Sequence, residues 1–292
     1  MDMGNKRLQI LVSAVNKDVK VLPQLMNLES DAVIVNQIQE KREVSESSDG
    51  QNEAGMKHQD LPECEDYSFD YNGHAIKVLN RREKGVGLSR NTAFDNSDAE
   101  IIQFGDDDIR YSDGYVQRIL AEFDAHPEAD VILFNVKAQA GRETYWNTDC
   151  GKVSWRNYGR YPAYAICGRR ERLEASGIKY SLLFGGGATY MNGEDSLFLH
   201  DCLKAGLYLY RTTVSIGYEE SGESTWFKGF TDKFYFDRGV LYHFLYGKMA
   251  PVFAFRYLFK KGREMCGGNS FFKCYKKALE GIRHGKKIAG RV

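Results

Sequence analysis

A chain of 292 residues holds one large domain or one domain with an appendage, and 42% hydrophobic with 13% aromatic content is that of a folded globular protein. Its 40 basic and 40 acidic residues cancel, so composition gives no polyelectrolyte signal and no nucleic-acid partner is expected. Nowhere do about 18 apolar residues run together, which argues against a transmembrane helix. The six cysteines lack a paired metal-ligand spacing and read as reduced thiols of a cytoplasmic protein.

Leu8 to Val15 is a strand candidate rather than a signal peptide, since charge follows at once without a cleavage region. Asn16-Lys17-Asp18 is then a loop, and Leu22, Leu25 and Met26 share a helix face with Pro23 in the first turn, where a missing amide hydrogen costs little. Ala32 to Gln37 makes a second strand, and this order implies a parallel pair joined by a crossover. From Glu40 to Asp66 the chain is polar and poor in aliphatics, as expected of a surface loop. Alternation around Asn72-Gly73 predicts a hairpin from Tyr67 to Leu79.

Lys84 to Phe94 reads as a glycine-bearing loop entering a short helix, with Ser89 as N-cap and Arg90 in the first turn. Amides there beside Lys84 and Arg90 suit a diphosphate. Next, the apolar run Glu100 to Phe104 ends in Gly105 and three carboxylates, Asp106, Asp107 and Asp108. A buried strand delivers such groups to its carboxyl end, where open α/β sheets place ligands. Three adjacent carboxylates repel, so a water-poor arrangement calls for a bound cation, Mg2+ or Mn2+ by oxygen-ligand preference. A solvated acidic turn is the alternative for the run taken alone.

Asp113 can cap a helix bearing Val116, Ile119, Leu120 and Phe123 as core, and Asp130 to Val136 is another buried strand. The stretch from Ala138 to Arg160, with Trp146 and Trp155, suits sugar-ring stacking as well as ordinary packing. Phe184-Gly185-Gly186-Gly187 leads to a second landmark, a helix with Glu194 and Asp195 at its start, Leu199, Cys202 and Leu203 on one face and Gly206 as the stop. A helix N-terminus stabilises an ionised carboxylate, so either acid can serve as proton acceptor at neutral pH, while simple acidic capping is the plainer reading.

The charge balance hides an asymmetry. Leu241 to Val292 carries twelve Lys and Arg against Glu264 and Glu280, leaving 28 basic and 38 acidic residues before it. Between Asn269 and His284, Phe271, Phe272, Tyr275, Leu279 and Ile282 make one helix face, and Lys273, Lys276, Lys277 and Arg283 the other. Such a helix lies on an anionic membrane, with Phe253, Phe255, Tyr257, Leu258 and Phe259 adding apolar contact, or packs on the body with its basic face solvated.

Taken together, Gly-Leu-Ser-Arg-Asn at 87–91, the strand ending in Asp106-Asp107-Asp108, and Gly193-Glu194-Asp195 before a helix resemble glycosyltransferase family two, over about Leu8 to Gly206. Glu223 to Gly229 is similar to a segment of bacterial polysaccharide-assembly members. The resemblance implies an α/β GT-A fold, a Rossmann-like nucleotide-binding sheet fused to an acceptor-binding half. The expected layout is a GT-A domain at 1–240, its donor half about 1–136 and acceptor half about 137–240, with a basic amphipathic helical tail at 241–292.

By the same resemblance Asp106 and Asp108 match the Asp-x-Asp motif, the first contacting ribose or metal and the last binding metal. Asp107 is the least constrained of the three. Asp195 matches the catalytic base, and Glu194 orients base or acceptor. Ser13 and Arg90 match nucleotide-site positions, with Lys84 near them. Many members read the base with an acid after the second strand; here Asn36-Gln37 stand there, leaving the base open. The implied activity is metal-dependent, inverting transfer from a nucleotide-sugar, UDP-linked by expectation, to a glycan or lipid-linked acceptor in surface polysaccharide synthesis. The expected location is cytoplasmic, peripheral on the inner face of the plasma membrane. A sugar nucleotidyltransferase or a catalytically silent glycan-binding scaffold are the alternatives, and Ser13-Ala14-Val15-Asn16-Lys17 lacks the glycine-rich basic turn more typical of the former.

Overall fold

Strands covered on both faces need continuous apolar runs, and three such runs lie side by side at the centre of one sheet. They are β1 (Leu8–Val15), β2 (Asp31–Gln37) and β5 (Ile101–Asp106), with α1 (Leu22–Met26) between the first two. The computed structural model describes residues 7–39, 65–220, 229–266 and 270–290. The polar stretch expected to be a loop falls largely at 40–64, and most of Glu223 to Gly229 falls at 221–228, both outside the described residues.

The Asn-Gly hairpin is present as β3 (Tyr67–Tyr71) and β4 (His74–Arg81), with Asn72 and Gly73 both at positive φ, 53° and 83°. Two positive φ values in succession match the right-handed twist of the flanking strands. α2 (Val86–Asp95) leads into β5. After β5 come β6 (Ile109–Tyr111), α3 (Tyr115–Ala125), β7 (Val131–Lys137), β8 (Gly151–Lys152), β9 (Ile166–Arg169) and α4 (Arg170–Ser176). α5 (Glu194–Lys204) and β10 (Leu209–Glu219) follow, then three helices, α6 (Asp232–Tyr246), α7 (Ala250–Met265) and α8 (Phe271–Ala289).

The sheet order is β3-β4-β2-β1-β5-β9-β7-β10-β6, with β8 paired to β10. β1, β2, β4 and β5 are mutually parallel; β9 runs against both β5 and β7; β10 is parallel to β7. Six strands therefore end at the same edge. The chain leaves β1 toward β2 on one side and pairs it with β5 on the other, so strand order reverses between β1 and β5. The crevice at that point is where ligands bind in open α/β sheets. Ser13 faces Asp106 in the register of the two strands.

Helices cover both faces. One face buries Ile10, Met26, Tyr115, Ile119, Phe123 and Phe134 under α1 and α3; the other buries Leu11, Phe94, Phe104, Phe198, Leu241 and Ile282 under α2, α5, α6 and α8. α8 is thus part of the main core. Its buried stripe is Cys274, Ala278, Gly281, Ile282 and Gly285. A Cβ on Gly281 would stand 2.0 Å from the Phe236 carbonyl oxygen, and one on Gly239 would stand 2.0 Å from that of Ala278. α6 and α8 therefore cross backbone against backbone. Position 240, the expected end of the main domain, lies inside α6. Of the two readings left open for the C-terminal amphipathic helix, α8 takes the packed one.

Among the described residues no helix is long and apolar enough to cross a membrane. The described cysteines are free, and all but Cys150 are buried.

Candidate active site

The site is assembled by one buried arginine. α2 begins at Val86 behind Gly85, whose φ of 124° is one that other residues rarely adopt, so the expected N-cap Ser89 lies inside the helix. Its hydroxyl instead donates to Ser13 Oγ at 3.0 Å. The helix starts early because Val86 N–H is caught by the Gly186 carbonyl at 2.9 Å. Gly185 is in turn squeezed between Val86 and Glu194, where a Cβ would approach both within 2.8 Å. The glycine run at 185–187 thus threads between the starts of α2 and α5.

Arg90, only 3% exposed, points under the carboxyl edge of the sheet. Its Nη2 donates to Asp106 Oδ1 at 2.9 Å, and its Nη1 to Asp195 Oδ1 at 2.9 Å and Glu194 Oε1 at 3.4 Å. One guanidinium therefore spans the two acidic landmarks. Burial works against its charge, but Asp106, Asp195 and Glu194 outweigh that and hold it protonated well above the usual arginine range. The Arg90 guanidinium also lies 5.1 Å from the Tyr180 ring centroid, and Tyr180 stacks on Phe198 of α5 at 4.4 Å. Asn91 clamps the same tyrosine's backbone, donating to its carbonyl at 2.9 Å and accepting from its amide at 2.8 Å.

α5 carries the second acid pair where it was expected, with Gly193 as N-cap at φ 114° and Gly206 just past the end at φ 83°. A Cβ on Gly193 would meet Leu241 at 2.4 Å, so α6 packs directly on this turn. Burial pushes the Asp195 carboxyl up to about 8; Arg90 opposes that, Glu194 and Asp106 add to it, and the Ala163 amide opposes it. An Asp with that affinity for protons is matched to general-base work near neutral pH.

The three aspartates after β5 have distinct surroundings. Asp106 is paired with Arg90. Asp107, expected to be the least constrained, accepts from the Val15 amide at 3.3 Å and faces Lys17 Nζ at 3.4 Å, tying the β1 loop to the β5 turn. Its carboxyl is raised by burial, with Lys17 pulling it back down. Asp108, exposed at the turn, has no ion pair among the described residues, and partial desolvation with Asp106, Asp107 and Glu219 nearby raises its carboxyl to about 7. The Glu220 amide donates to the Asp108 carbonyl at 2.8 Å, which brings the end of β10 beside the turn.

Uncompensated negative charge at Asp108, next to Asp106, fits a divalent cation with oxygen ligands. Among the described residues no three His, Cys, Asp or Glu side chains are grouped to enclose a metal by themselves. Magnesium and manganese take one or two carboxylates and fill the remaining positions with water and phosphate oxygens. A cavity of about 240 Å³ opens over these groups, lined by Ser13, Gln37, Gly85, Arg90, Asp106, Asp107, Asp108, Gly186 and Glu194 among others.

Three expected residues lie aside from it: Asp195, which is tied to the lining through Arg90, and Asn36 and Lys84. Asn36 turns to the loop after β1, accepting from the Lys17 amide at 3.1 Å and donating to the Lys17 carbonyl at 3.2 Å; it lines a neighbouring hollow with Tyr67 and Asn80. Gln37 takes the cavity position, donating to the Gly85 carbonyl at 3.0 Å. Lys84 packs near Gly187 and is not among the lining residues.

Residues 59–188 match the sequence profile of Glycosyl transferase family 2, a span that holds Arg90 and the three aspartates. The span is under half of the chain and marks a likeness to the family 2 glycosyltransferases. The chain is similar in fold to S. aureus TarS. A crystal structure of TarS residues 1–349 with UDP-GlcNAc is 15% identical with a TM-score of 0.58, covering 90% of this chain and 74% of that one. The same TarS fragment without UDP-GlcNAc is 14% identical at a TM-score of 0.57, covering 96% of this chain and 80% of the other. The curated proteins contain no match. The fold is GT-A, as the order of the motifs implied.

Sequence reading paired Arg90 with a diphosphate and gave no role to Asn91, Tyr180, Lys17 or Glu219. Asn91 stood in the quoted motif, and its adjacency to Arg90 was the available signal; the others come from distant turns and carried none.

Proposed function

We propose that the transferase moves a sugar, with inversion, from a nucleotide-sugar to a hydroxyl of a glycan or lipid-linked acceptor, at the cytoplasmic face of a membrane in surface polysaccharide synthesis. The observation that carries this is Arg90, which lines the cavity with Asp106 and Glu194, bridging them to Asp195. A donor acid and a candidate base are thereby held a single guanidinium apart.

In this reading the nucleotide enters beside Ser13 and Gln37, and its diphosphate turns toward Asp106 and Asp108. Asp108 and Asp106 would hold a divalent cation, which when bound would supply charge neutralisation for a departing diphosphate. Asp195, ionised and kept in place by Arg90, accepts the acceptor hydroxyl proton. The new carbon–oxygen bond forms on the face opposite the one that breaks, so the configuration at the anomeric carbon inverts. Glu194 shares Arg90 and keeps a carboxylate beside the base. A UDP-linked donor is supported by the UDP-GlcNAc and UDP complexes of TarS.

For the acceptor, a hollow of about 760 Å³ at the same sheet edge is lined by Trp146, Tyr218, Gln139 and Glu219, offering apolar rings beside polar groups. A thermal-shift screen of nucleotide-sugars with and without manganese tests the reading. A shift for UDP-sugars that requires manganese is expected, and the absence of a shift with every nucleotide-sugar overturns it. The anomeric configuration of the product, read by NMR, tests inversion separately.

A further inference from the structure

The C-terminal helices leave one continuous apolar ridge outside. α7 turns Ala254 and Leu258 inward and sends Val252, Phe255 and Phe259 outward at helical spacing. Phe259 and, on α8, Phe272 are each 78% exposed, and Phe255 is 46% exposed. The rings are joined: Phe255 stacks on Phe259 with centroids 6.1 Å apart and meets Phe271 edge-on at 5.4 Å, and Phe271 meets Phe272 at 5.7 Å. Single exposed apolar residues are ordinary, but a joined patch of large rings marks a surface that something covers.

Among the described residues the collar of this ridge has one sign. Arg256 and Lys260 on α7 and Lys273 and Lys276 on α8 are exposed, and the stretch of α7 from Ala250 to Lys260 has no acidic residue. The nearby acids are matched locally, Asp232 by Lys273 at 3.6 Å and Glu280 by Lys277 at 2.8 Å. A second copy of the chain would set Arg256 and Lys260 against their own kind, which like-charge repulsion disfavours. An anionic bilayer meets both demands, with acyl boundary for the rings and phosphate for the cations.

We infer that this ridge docks the protein on an anionic lipid bilayer, with Phe255, Phe259 and Phe272 entering the headgroup boundary and Arg256, Lys260 and Lys276 resting on lipid phosphates. The contact is made by the outer side of α7 and the first turn of α8, because the buried stripe of α8 is spent on α6. This deepens the membrane-face reading above and rests on it, but is independent of the donor chemistry.

The test is co-sedimentation of the full chain with vesicles of phosphatidylcholine containing about one-third phosphatidylglycerol, against phosphatidylcholine alone. Binding to the anionic vesicles only is expected, weakening with salt. Phe259→Ser with Phe272→Ser should lower affinity at least about tenfold. Arg256→Gln and Lys260→Gln should each lower it about fivefold. A Phe259→Trp variant should show a blue-shifted emission on anionic vesicles. Equal binding to neutral vesicles, or a Phe259→Trp emission that does not move while the chain sediments, overturns the inference. So does a dimer in light scattering that Phe259→Ser with Phe272→Ser dissolves while vesicles bind nothing, which would name a second copy as the occupant. The manganese-dependent thermal shift with UDP should survive in the Phe259→Ser, Phe272→Ser protein. Vesicle binding without any UDP shift in the unaltered chain would sink the donor reading and leave this one standing.

Discussion

Replacing Arg90 by Met removes the buried charge that three half-buried carboxylates share while keeping most of the side-chain volume. In an effective dielectric of about 20, unit charges about 4 Å apart attract by about 4 kcal/mol. Arg90 makes three contacts of this kind, with Asp106, Asp195 and Glu194, set against one large burial penalty. Breaking a buried ion pair from one side costs about 3–5 kcal/mol, which for a chain of this length lowers the melting temperature by about 6–10 °C. The deficit should depend on pH, and its sign follows from Asp195. That carboxyl is pushed up to about 8 with Arg90 in place, and losing the arginine moves it higher. A carboxyl raised on folding contributes stability below its unfolded value and loses it as pH rises through the folded one, so the deficit should be larger at about pH 8 than at about pH 5.5. Adding Asp195→Asn to Arg90→Met should recover about 1–2 kcal/mol, a coupling that a double-mutant cycle in urea would measure. If the Arg90→Met deficit is the same at both pH values and Asp195→Asn recovers nothing, Arg90 is not the charge that holds the site together.

Asp195→Asn alone should keep UDP binding and melt no lower than the parent, while turnover falls about 10²–10⁴-fold. The parent's turnover should rise with pH toward about 8, because the working form of Asp195 is the ionised one; a flat profile across that range would deny it the role of base. Asp108→Asn should abolish the manganese-dependent part of donor binding in calorimetry, and unchanged binding would place the metal elsewhere. Gly281→Ala should cost at least about 1–3 kcal/mol in urea unfolding, since the added methyl meets the Phe236 carbonyl and neither helix can move aside cheaply.

The strands were legible where burial on both faces leaves an unbroken apolar run, as at Leu8–Val15 and Ile101–Asp106. The Asn72-Gly73 turn was legible because its backbone demands those residues. Ser89 misled as an N-cap because its partner is Ser13, brought near by the sheet, and because Gly186 catches the Val86 amide one turn earlier. Arg90 could be seen as a charge near an acidic strand, but not as a buried bridge: that depends on α5 returning about 100 residues later to the same edge. Asp107 was underrated because its partners, Lys17 and the Val15 amide, belong to the β1 loop. The inner side of α8 was hidden for another reason. Hydrophobic spacing weights large side chains, whereas this helix docks through Ala278, Gly281 and Gly285, and the large rings it left unburied stand outside.

β9 runs against its neighbours and joins β5, which ends in Asp106, to β7, so hydrogen bonding passes without a break from β3 to β6. There is accordingly no interdomain joint in this sheet about which two jaws could swing. A site built on such a fixed plate sets its distances when it folds, and changes of ligand must come from the loops at its rim, where residues can be exchanged while the spacing between Asp106 and Asp195 stays as it is.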